Sequence, residues 1–481
     1  MLRVDYLLFF LVLGCDTANL EDQYLLLGPS DASPPIEKMV AVPSASQLRW
    51  QQGEMYMFIH FGMNTFTGEE KGDGTAPPTL FHPTEYNPSQ WAQVAKQTGF
   101  DGVVFTAKHH EGFALWPTST TSYSVASSDW KQGQGDVLGD IATAAAAEEL
   151  RFGIYLSPMD RNEPSWGTLA YNAFYLSQID EALSRQDDVF EFWLDGYDNN
   201  ADVPPPYDYH QIYQTIYRHE PEAIIFGGAE IGWVGNESGI AGLTQWSVRE
   251  PDQWFPSECD VANRPGWFWR ESENDRVFRA KDLLQIYYTS VGRNCVLLLG
   301  VPPDTRGLIH ENDVRELGMF RSMLDEIFGS NLIELGNASS ASSRGEGPGW
   351  AAPNTIDDNP ETFWVAGKRA RRGTVSVLLD EAVTFNVIRL EEPIEYGQRV
   401  SRFSVQARNM DTNEWVRVAS GTTIGYRRIL HLPPFHTDQI KLIIEDAKGS
   451  PAISEIGLHF DPYSNLIPIQ QAEEIRGELN F

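Results

Sequence analysis

Side chains that can do acid–base chemistry stand at the ends of apolar runs in the first two thirds of this 481-residue chain. The most conspicuous is the quartet KHHE at Lys108–Glu111, directly after the apolar stretch GVVFTA at 102–107. His60 ends another apolar run, Asp195 ends a further run in FWLDG, and Glu237 lies in the loop sequence GWVGNESG. Imidazoles and carboxylates that meet in one pocket can transfer protons, bind hydroxyl groups or hold a metal ion.

The elements that carry these residues alternate between strand-like and helix-like patterns from residue 47 to about 330. Near-continuous apolar strands are typical of a parallel sheet that is buried on both faces. Repeated βα units therefore predict an α/β fold with a (β/α)8-like barrel, and a doubly wound sheet is the alternative. In a barrel, the polar residues at the strand ends converge on one face. The predicted strands are 55–62, 102–110, 152–158, 190–196, 223–230, 243–247 and 294–303.

The pattern changes after a stretch rich in Ser, Gly and Ala at 336–354. Beyond it, short alternating runs such as GTVSVLLDEAV and DQIKLIIEDA predict an antiparallel β-sandwich. We therefore expect three parts: a leader and linker at 1–46, a catalytic barrel at 47–335 and a β-sandwich at 336–481.

The composition argues against nucleic acid as a partner. Asp and Glu total 67 against 36 Lys and Arg, a formal net charge of −31, and such a field repels phosphate groups. Aromatic residues make up 12 % of the chain, which fits either a large aromatic core or stacking against sugar rings. A neutral substrate is the partner most consistent with both observations.

Three cysteines are too few for a disulfide framework, and we expect Cys259 and Cys295 to be buried free thiols. The third, Cys15, follows an apolar run at 6–13 that is too short to span a bilayer. The sequence VLGC at 12–15 resembles a bacterial lipoprotein box, in which the leader is cleaved before a lipid-modified cysteine. We therefore expect export to the periplasm or cell surface with a lipid anchor at Cys15; the alternative is a misassigned start or a disordered tail.

The predicted pocket combines carboxylates, imidazoles and several tryptophans. HExxH and other tight zinc spacings are absent from the sequence, so we expect no metal ion in the barrel. Two carboxylates among aromatic and hydrogen-bonding residues indicate glycoside hydrolysis. One carboxylate attacks or stabilises the anomeric carbon, while the other, kept protonated by apolar surroundings, protonates the leaving oxygen.

Seven segments of the first domain carry a more specific signal: MYMFIHFGMNTFTG, FTAKHHEGFALWPT, FGIYLSPMDRNEPSWG, FWLDG, WVGNESG, ECDVANRPGWFW and YYTSVGRNCVLLLGVPPDTRGLI. In this order they resemble α-L-fucosidases of glycoside hydrolase family 29. WVGNESG and ECDVANRPGWF resemble the subgroup that acts on α-1,3- and α-1,4-linked fucose in branched glycans. The resemblance implies fucosylated oligosaccharides or glycoconjugates as partners, a retaining double displacement and no cofactor for catalysis.

The resemblance also implies roles for individual residues. Asp195 falls at the position of the family's nucleophile and Glu237 at that of its general acid/base. Glu230 and Glu258 are rivals for the second role. The implied fucose-binding histidines and pocket-lining aromatics are His60, His109, His110, Trp116, Tyr155 and Trp267. Because fucose carries a methyl group at C5, one wall must be apolar, and the candidates for it are Trp233, Trp267 and Phe268. Taken alone, the histidines would equally fit a core hydrogen bond, and Asp195 a helix N-cap.

The segment NTIDDNPETFW at Asn354–Trp364 resembles the early part of discoidin-like (coagulation factor V/VIII type C) domains and of family 32 carbohydrate-binding modules. Such domains often carry a structural calcium ion. The turn offers oxygen donors at Asp357, Asp358, Asn359 and Thr362. The alternative is a plain Asx-rich turn, and the domain could simply brace the barrel.

Two other functions stay open at this point. A fucose-binding protein that has lost catalysis would keep the pocket without needing both carboxylates. A related barrel glycosidase for another L-sugar, such as L-galactose, would need a partner for the added hydroxyl group. The presence of both Asp195 and Glu237 favours a catalytic fucosidase.

Overall fold

The computed structural model describes residues 36–195, 207–228, 230–334, 336–339 and 350–463. The predicted leader, with Cys15 and the lipoprotein-box sequence, lies outside these residues. Within them, no helix is both long enough and apolar enough to cross a membrane.

Eight parallel strands form the barrel that the sequence predicts. The first domain contributes the strands β1 (Met55–Ile59), β2 (Gly102–Lys108), β3 (Arg151–Leu156), β4 (Val189–Trp193), β5 (Ile224–Phe226), β6 (Gly232–Trp233), β7 (Val248–Arg249), β8 (Gln253–Trp254), β9 (Ser257–Ala262) and β10 (Cys295–Gly300). β7 and β8 form a separate hairpin, and the others pair in the order β5-β4-β3-β2-β1-β10-β9-β6. A parallel bridge between Phe226 and Ile231 joins the two ends of this order, so the barrel closes.

Helices connect most of the strands: α1 (Ala45–Gly53), α2 (Met63–Thr67), α3 (Pro88–Gln97), α4 (Val137–Ala147), α5 (Tyr171–Leu183), α6 (Tyr209–His219), α7 (Ala280–Thr289) and α8 (Glu311–Phe328). α3 illustrates the local causes. Pro88 occupies its first turn and the side chain of Asn87 accepts the backbone N–H of Gln90. Gly99, at φ +85°, follows its end, where the left-handed backbone favours glycine.

The connection from β5 to β9 departs from the repeating pattern. In the described part of 227–256, β6 and the β7–β8 hairpin replace the usual helix. The predicted strand at 243–247 is wrong: the segment is not part of the barrel sheet, and the backbone N–H groups of Gln245 and Ser247 donate to side chains of the C-terminal domain. The barrel strand in this region is β9. It was not predicted, because its buried side chains include the charged residues Glu258 and Asp260 and it therefore lacks an apolar run.

The second domain is the antiparallel sandwich that its alternating pattern predicts. Its strands are β11 (Asn337–Ser339), β12 (Trp364–Val365), β13 (Gly373–Glu391), β14 (Val400–Arg408), β15 (Trp415–Gly421), β16 (Arg428–Ala447), β17 (Ala452–Ile453) and β18 (Glu455–His459). β13 and β16 each merge two runs that read as separate strands in the sequence. Register shifts between Leu378 and Val383 let β13 pair with β11 along its first half and with β18 along its second.

The two remaining cysteines are free and buried, as predicted. They lie on the neighbouring strands β9 and β10, and Sγ of Cys259 donates to Sγ of Cys295 at 2.7 Å.

Candidate active site

The carboxyl ends of the barrel strands bring most of the predicted site residues together. His60 follows β1 directly, and His109 and His110 follow β2. Tyr155 lies near the end of β3, and Asp195 follows β4 by two residues. The parallel pairing of β1 to β4 aligns these ends on one face of the barrel.

Asp195 is held by two hydrogen-bonding partners on one oxygen. Tyr155 donates its hydroxyl to Oδ2 at 2.8 Å, and Nε2 of His110 lies 3.2 Å from the same atom. Nδ1 of His110 is 2.7 Å from Oγ of Ser157, which orients the ring. Burial by itself would raise the pKa of Asp195, but the hydrogen bond and charge of His110 and the Tyr155 hydroxyl outweigh it and lower that pKa. These contacts favour the ionised carboxylate, which is the form in which an aspartate can act as a nucleophile.

The three histidines form a contiguous cluster beside this carboxylate. The ring centroids of His60 and His109 are 5.6 Å apart, and those of His109 and His110 are 4.1 Å apart. Tyr155 stacks on His109 with 15° between the ring planes. Burial, and next the neighbouring imidazoles, lower the pKa of both His60 and His109 well below the usual range. A neutral imidazole offers one donor and one acceptor, which suits the hydroxyl groups of a sugar.

Trp267 links this cluster to Glu237. Its ring lies 5.0 Å from that of His60, and its indole N–H donates to Oε2 of Glu237 at 3.3 Å. Phe268, buried beside it, meets His60 and His109 edge-on at 5.3 and 4.9 Å. These two aromatic rings provide an apolar wall over the histidines, while Glu237 itself is exposed.

The rivals for the acid/base role have other partners. Oε2 of Glu258 accepts the indole N–H of Trp193 at 2.7 Å inside the barrel. Burial, together with the charge of Glu191, raises the pKa of Glu258 well above its usual value. Oε2 of Glu230 accepts the backbone N–H of Ile225 at 3.1 Å, on strand β5. The geometry favours Glu237, which alone of the three has a hydrogen bond to the aromatic wall among the described residues.

The structure does not bring Trp116 to this group. Its side chain is fully buried in the main core, and its indole N–H donates to Oε2 of Glu181 on α5 at 3.3 Å. The chain turns back after β2, where the backbone N–H of Leu115 bonds to the carbonyl of Ala107, and the Trp116 ring that follows packs in the main core. Trp233 lies closer to the site, but half of its surface is exposed.

Asp260, near the end of β9, is a site residue that the sequence reasoning missed. Its Oδ1 accepts the indole N–H of Trp233 at 2.5 Å. Burial, with smaller contributions from the charges of Glu237 and Asp195, raises the pKa of Asp260 to about 7. The sequence signal that could have indicated Asp260 is its spacing of two residues from Glu258, because residues at this spacing in a strand lie on the same face.

A buried group of polar side chains contacts Nδ1 of His109. Nδ2 of Asn64 donates to Oε2 of Glu111 at 3.0 Å, and that oxygen is 3.6 Å from Nδ1 of His109. Burial raises the pKa of Glu111 to about 7. Lys108, also fully buried, pairs with Asp160 at 3.0 Å and thereby fixes the end of β2.

In the described parts of the chain, one group of three His, Cys, Asp or Glu side chains holds donor atoms close enough for a metal ion. These are His109, His110 and Asp195, with donor atoms within 4.8 Å of one another. All three residues already have hydrogen-bond partners: His109 contacts Asn64, His110 contacts Ser157, and Asp195 accepts from Tyr155.

The acidic turn of the sandwich does not fit calcium as it stands. Asp357 accepts the hydroxyl of Thr362 at 2.7 Å and the backbone N–H of Asn359 at 3.2 Å. Asp358 forms an ion pair with Arg389 at 3.2 Å. The turn bonds to itself, and the guanidinium supplies the positive charge that a cation would supply, which favours the Asx-turn interpretation.

Comparisons with known proteins match both domains to known families. Residues 48–325 match the family model for α-L-fucosidase, and residues 337–457 match that for the F5/8 type C domain. The chain is 41 % identical over 451 residues to "Alpha-L-fucosidase 1" of Arabidopsis thaliana, with 89 % of each sequence covered.

Solved structures show the same relationship. A Ruminococcus gnavus GH29 fucosidase in complex with fucose superposes with a TM-score of 0.85 at 30 % identity, covering 90 % of this chain and 97 % of that one. A glycoside hydrolase 29 family member from a rumen bacterium gives a TM-score of 0.78 at 34 % identity, covering 90 % and 80 %. With the barrel, the carboxylates and the histidine cluster described above, these matches show that the chain belongs to the α-L-fucosidase family, glycoside hydrolase family 29.

Proposed function

We propose that the chain is a retaining exo-α-L-fucosidase that removes terminal α-1,3- or α-1,4-linked L-fucose from branched glycans. The observation that carries the proposal is the setting of Asp195, whose Oδ2 is oriented by both Tyr155 and His110, contacts that also lower the pKa of the carboxyl group. A nucleophile needs such fixed geometry and a low pKa.

The proposed reaction has two displacements. Asp195 attacks the anomeric carbon of fucose while Glu237 donates its proton to the glycosidic oxygen, so the C–O bond to the glycan breaks as the fucosyl–Asp195 bond forms. Glu237, now a carboxylate, removes a proton from water, and the resulting attack on the anomeric carbon releases fucose and restores both carboxyl groups. Two inversions give net retention at the anomeric carbon.

The proposed sugar site places hydroxyl groups against the imidazoles of His60, His109 and His110. The apolar wall of Trp267 and Phe268 would receive the C5 methyl group. An L-galactoside carries a hydroxymethyl group there, whose oxygen would be left unpaired against this wall, so we expect aryl α-L-fucosides to be cleaved far faster than aryl α-L-galactosides.

The first test compares release of fucose from Lewis-a trisaccharide and from 2′-fucosyllactose, with the wild type and Asp195→Asn side by side. We expect release from the branched substrate only, α-fucose as the first-formed anomer by NMR, and a loss of turnover by several orders of magnitude in Asp195→Asn. Release from 2′-fucosyllactose would remove the linkage assignment and keep the enzyme class. A folded Asp195→Asn protein with full activity would contradict the nucleophile assignment. A wild-type protein that binds fucose but releases none would support the binding-protein alternative.

Catalysis in this proposal uses no metal ion, because two carboxyl groups perform every proton transfer and bond exchange. Activity should therefore survive exhaustive dialysis against a chelator. A loss of activity that Zn²⁺ restores would contradict this metal-free mechanism.

Export with a lipid anchor at Cys15 is a further part of the proposal. It is supported by the apolar run at 6–13 and the VLGC sequence at 12–15. Mass spectrometry of the protein from a bacterial membrane fraction should find a mature N-terminus at a lipid-modified Cys15. A protein of unchanged N-terminus in the cytosol would contradict this assignment.

A further inference from the structure

The loop that carries Glu237, residues 234–247 between β6 and β7, is held at its C-terminal end by the sandwich domain. Gln398 of the sandwich accepts the backbone N–H of Ser247 at 2.7 Å and donates to the carbonyl of Gln245 at 3.1 Å. Thr423 accepts the backbone N–H of Gln245 at 3.1 Å. Gln398, Thr423 and Ser247 are all buried, so these bonds are sheltered from water.

Further sandwich contacts cover the same segment, 243–247. Oγ1 of Thr422 donates to the carbonyl of Leu243 at 3.1 Å. The ammonium group of Lys448 lies over the ring of Trp246, 3.9 Å from its centroid. A loop without a helix or long strand must find partners for its backbone groups elsewhere, and here the second domain supplies several of them.

The barrel holds the other end of the loop, next to Glu237. The side chain of Asn236 accepts the backbone N–H of Ser238 at 3.1 Å and donates to the carbonyl of Ile240 at 2.9 Å. The backbone N–H of Ala241 bonds to the carbonyl of Thr289 on α7. Asn294 joins the two supports, because its amide donates to Oγ of Ser247 at 3.0 Å and accepts the backbone N–H of the sandwich residue Tyr426 at 2.8 Å.

We propose that the sandwich is part of the catalytic apparatus, and that Gln398 is a positioning residue which fixes the loop bearing Glu237 through segment 243–247. The inference rests on the proposed role of Glu237 as general acid/base. A loosened loop would leave Asp195, the histidines and the sugar pocket in place and would misplace only the proton donor. The loss of kcat/KM should therefore be larger for substrates whose leaving group must be protonated before it departs.

The test uses near-isosteric variants that remove the hydrogen bonds and keep the packing, Gln398→Met and Thr423→Val. For each, kcat/KM is measured on a series of aryl α-L-fucosides from 2,4-dinitrophenyl to phenyl, with inhibition by free fucose as the readout of the sugar pocket. Acid catalysis contributes roughly 10²–10⁴-fold to such reactions, so loss of a part of it should slow the phenyl substrate by about tenfold more than the dinitrophenyl substrate. Fucose inhibition should stay unchanged.

The matched control is Asn331→Leu. Asn331 accepts the backbone N–H of Leu458 at 3.0 Å and donates to Glu455 at 3.3 Å, so it joins the segment after α8 to the sandwich through the same kind of amide contacts, away from the loop. It should lower stability without any dependence on the leaving group. An equal loss on all substrates in Gln398→Met, or a lowered Tm with unchanged kcat/KM, would overturn the proposal and leave the sandwich as a stabilising domain. Glu237→Gln, run in parallel, separates the two claims: if it lacks leaving-group dependence, the acid/base assignment fails first and this inference with it.

Discussion

His110 and Tyr155 converge on the same oxygen of Asp195: Nε2 of His110 lies 3.2 Å from Oδ2, to which Tyr155 donates at 2.8 Å. Two partners on one oxygen fix the rotation of the carboxylate and lower its pKa, so one pair of contacts provides both the geometry and the ionisation that a nucleophile requires.

Removal of His110 should raise the pKa of Asp195, because its hydrogen bond and charge are the largest influences that lower it. The carboxylate must be ionised to attack, so the acidic limb of the kcat/KM–pH profile in His110→Ala should move to higher pH. A loss of kcat/KM on the order of 10²-fold is expected, as for removal of one preorganised donor.

His110→Gln is the control, since its amide can still donate a hydrogen bond, and its acidic limb should move less. An unchanged limb in His110→Ala, with only KM raised, would show that His110 binds sugar without influencing Asp195.

The assignment of the acid/base among three glutamates has a direct test. Glu237→Ala should retain activity on 2,4-dinitrophenyl α-L-fucoside, lose it on Lewis-a trisaccharide, and regain turnover with azide, which needs no general base and should give α-L-fucosyl azide. Glu258→Gln and Glu230→Gln should show none of these three effects. Azide rescue in either of those variants, and not in Glu237→Ala, would transfer the role.

Stability should fall as the pH rises, because several buried carboxyl groups hold their protons in the folded state. Burial raises the pKa of Glu191 to about 8 and that of Asp260 to about 7, against ordinary values of 4.5 and 3.8. Between the ordinary and raised pKa values the folded state binds more protons than the unfolded state, so the free energy of unfolding decreases with pH across that window. The lowered pKa values of His60 and His109 act the other way below their ordinary value of 6.5. Tm should therefore fall as the pH rises from 6.5 to 8.

Glu191→Gln should flatten this dependence, since an amide can still accept from Trp50 and cannot ionise. At pH 8 its Tm should exceed that of the wild type by a few degrees, because about 1 kcal/mol moves Tm by roughly 2–4 °C in domains of 150–250 residues. Parallel pH profiles of the two proteins would contradict a role for Glu191.

The acidic turn of the sandwich should be stable without calcium. A chelator should leave Tm unchanged, whereas Arg389→Ala should lower it, because the carboxylates of Asp358 and Glu455 lose their common partner. Differential scanning calorimetry with and without EDTA measures both effects. A chelator-sensitive Tm that Ca²⁺ restores would show that this turn is a calcium site after all.

Much of the site was accessible from the sequence because its signals are local. His60, His109 and Asp195 each follow an apolar run that becomes a barrel strand, and parallel strands place their carboxyl ends on one face whatever the details of packing. The alternation after residue 354 likewise indicates a sandwich without knowledge of which strands merge.

Tertiary structure decided what depends on distant partners. Trp116 is buried in the main core, where Glu181 on α5 accepts its indole N–H, and Asp260 accepts the indole N–H of Trp233 from a different strand. The segment 243–247 alternates like a strand, yet its backbone bonds to Gln398, 151 residues beyond Ser247. Local periodicity indicates which faces of an element are apolar. The hydrogen-bond partner of a buried polar group, by contrast, often lies far away in the sequence, and only the folded molecule brings the two groups together.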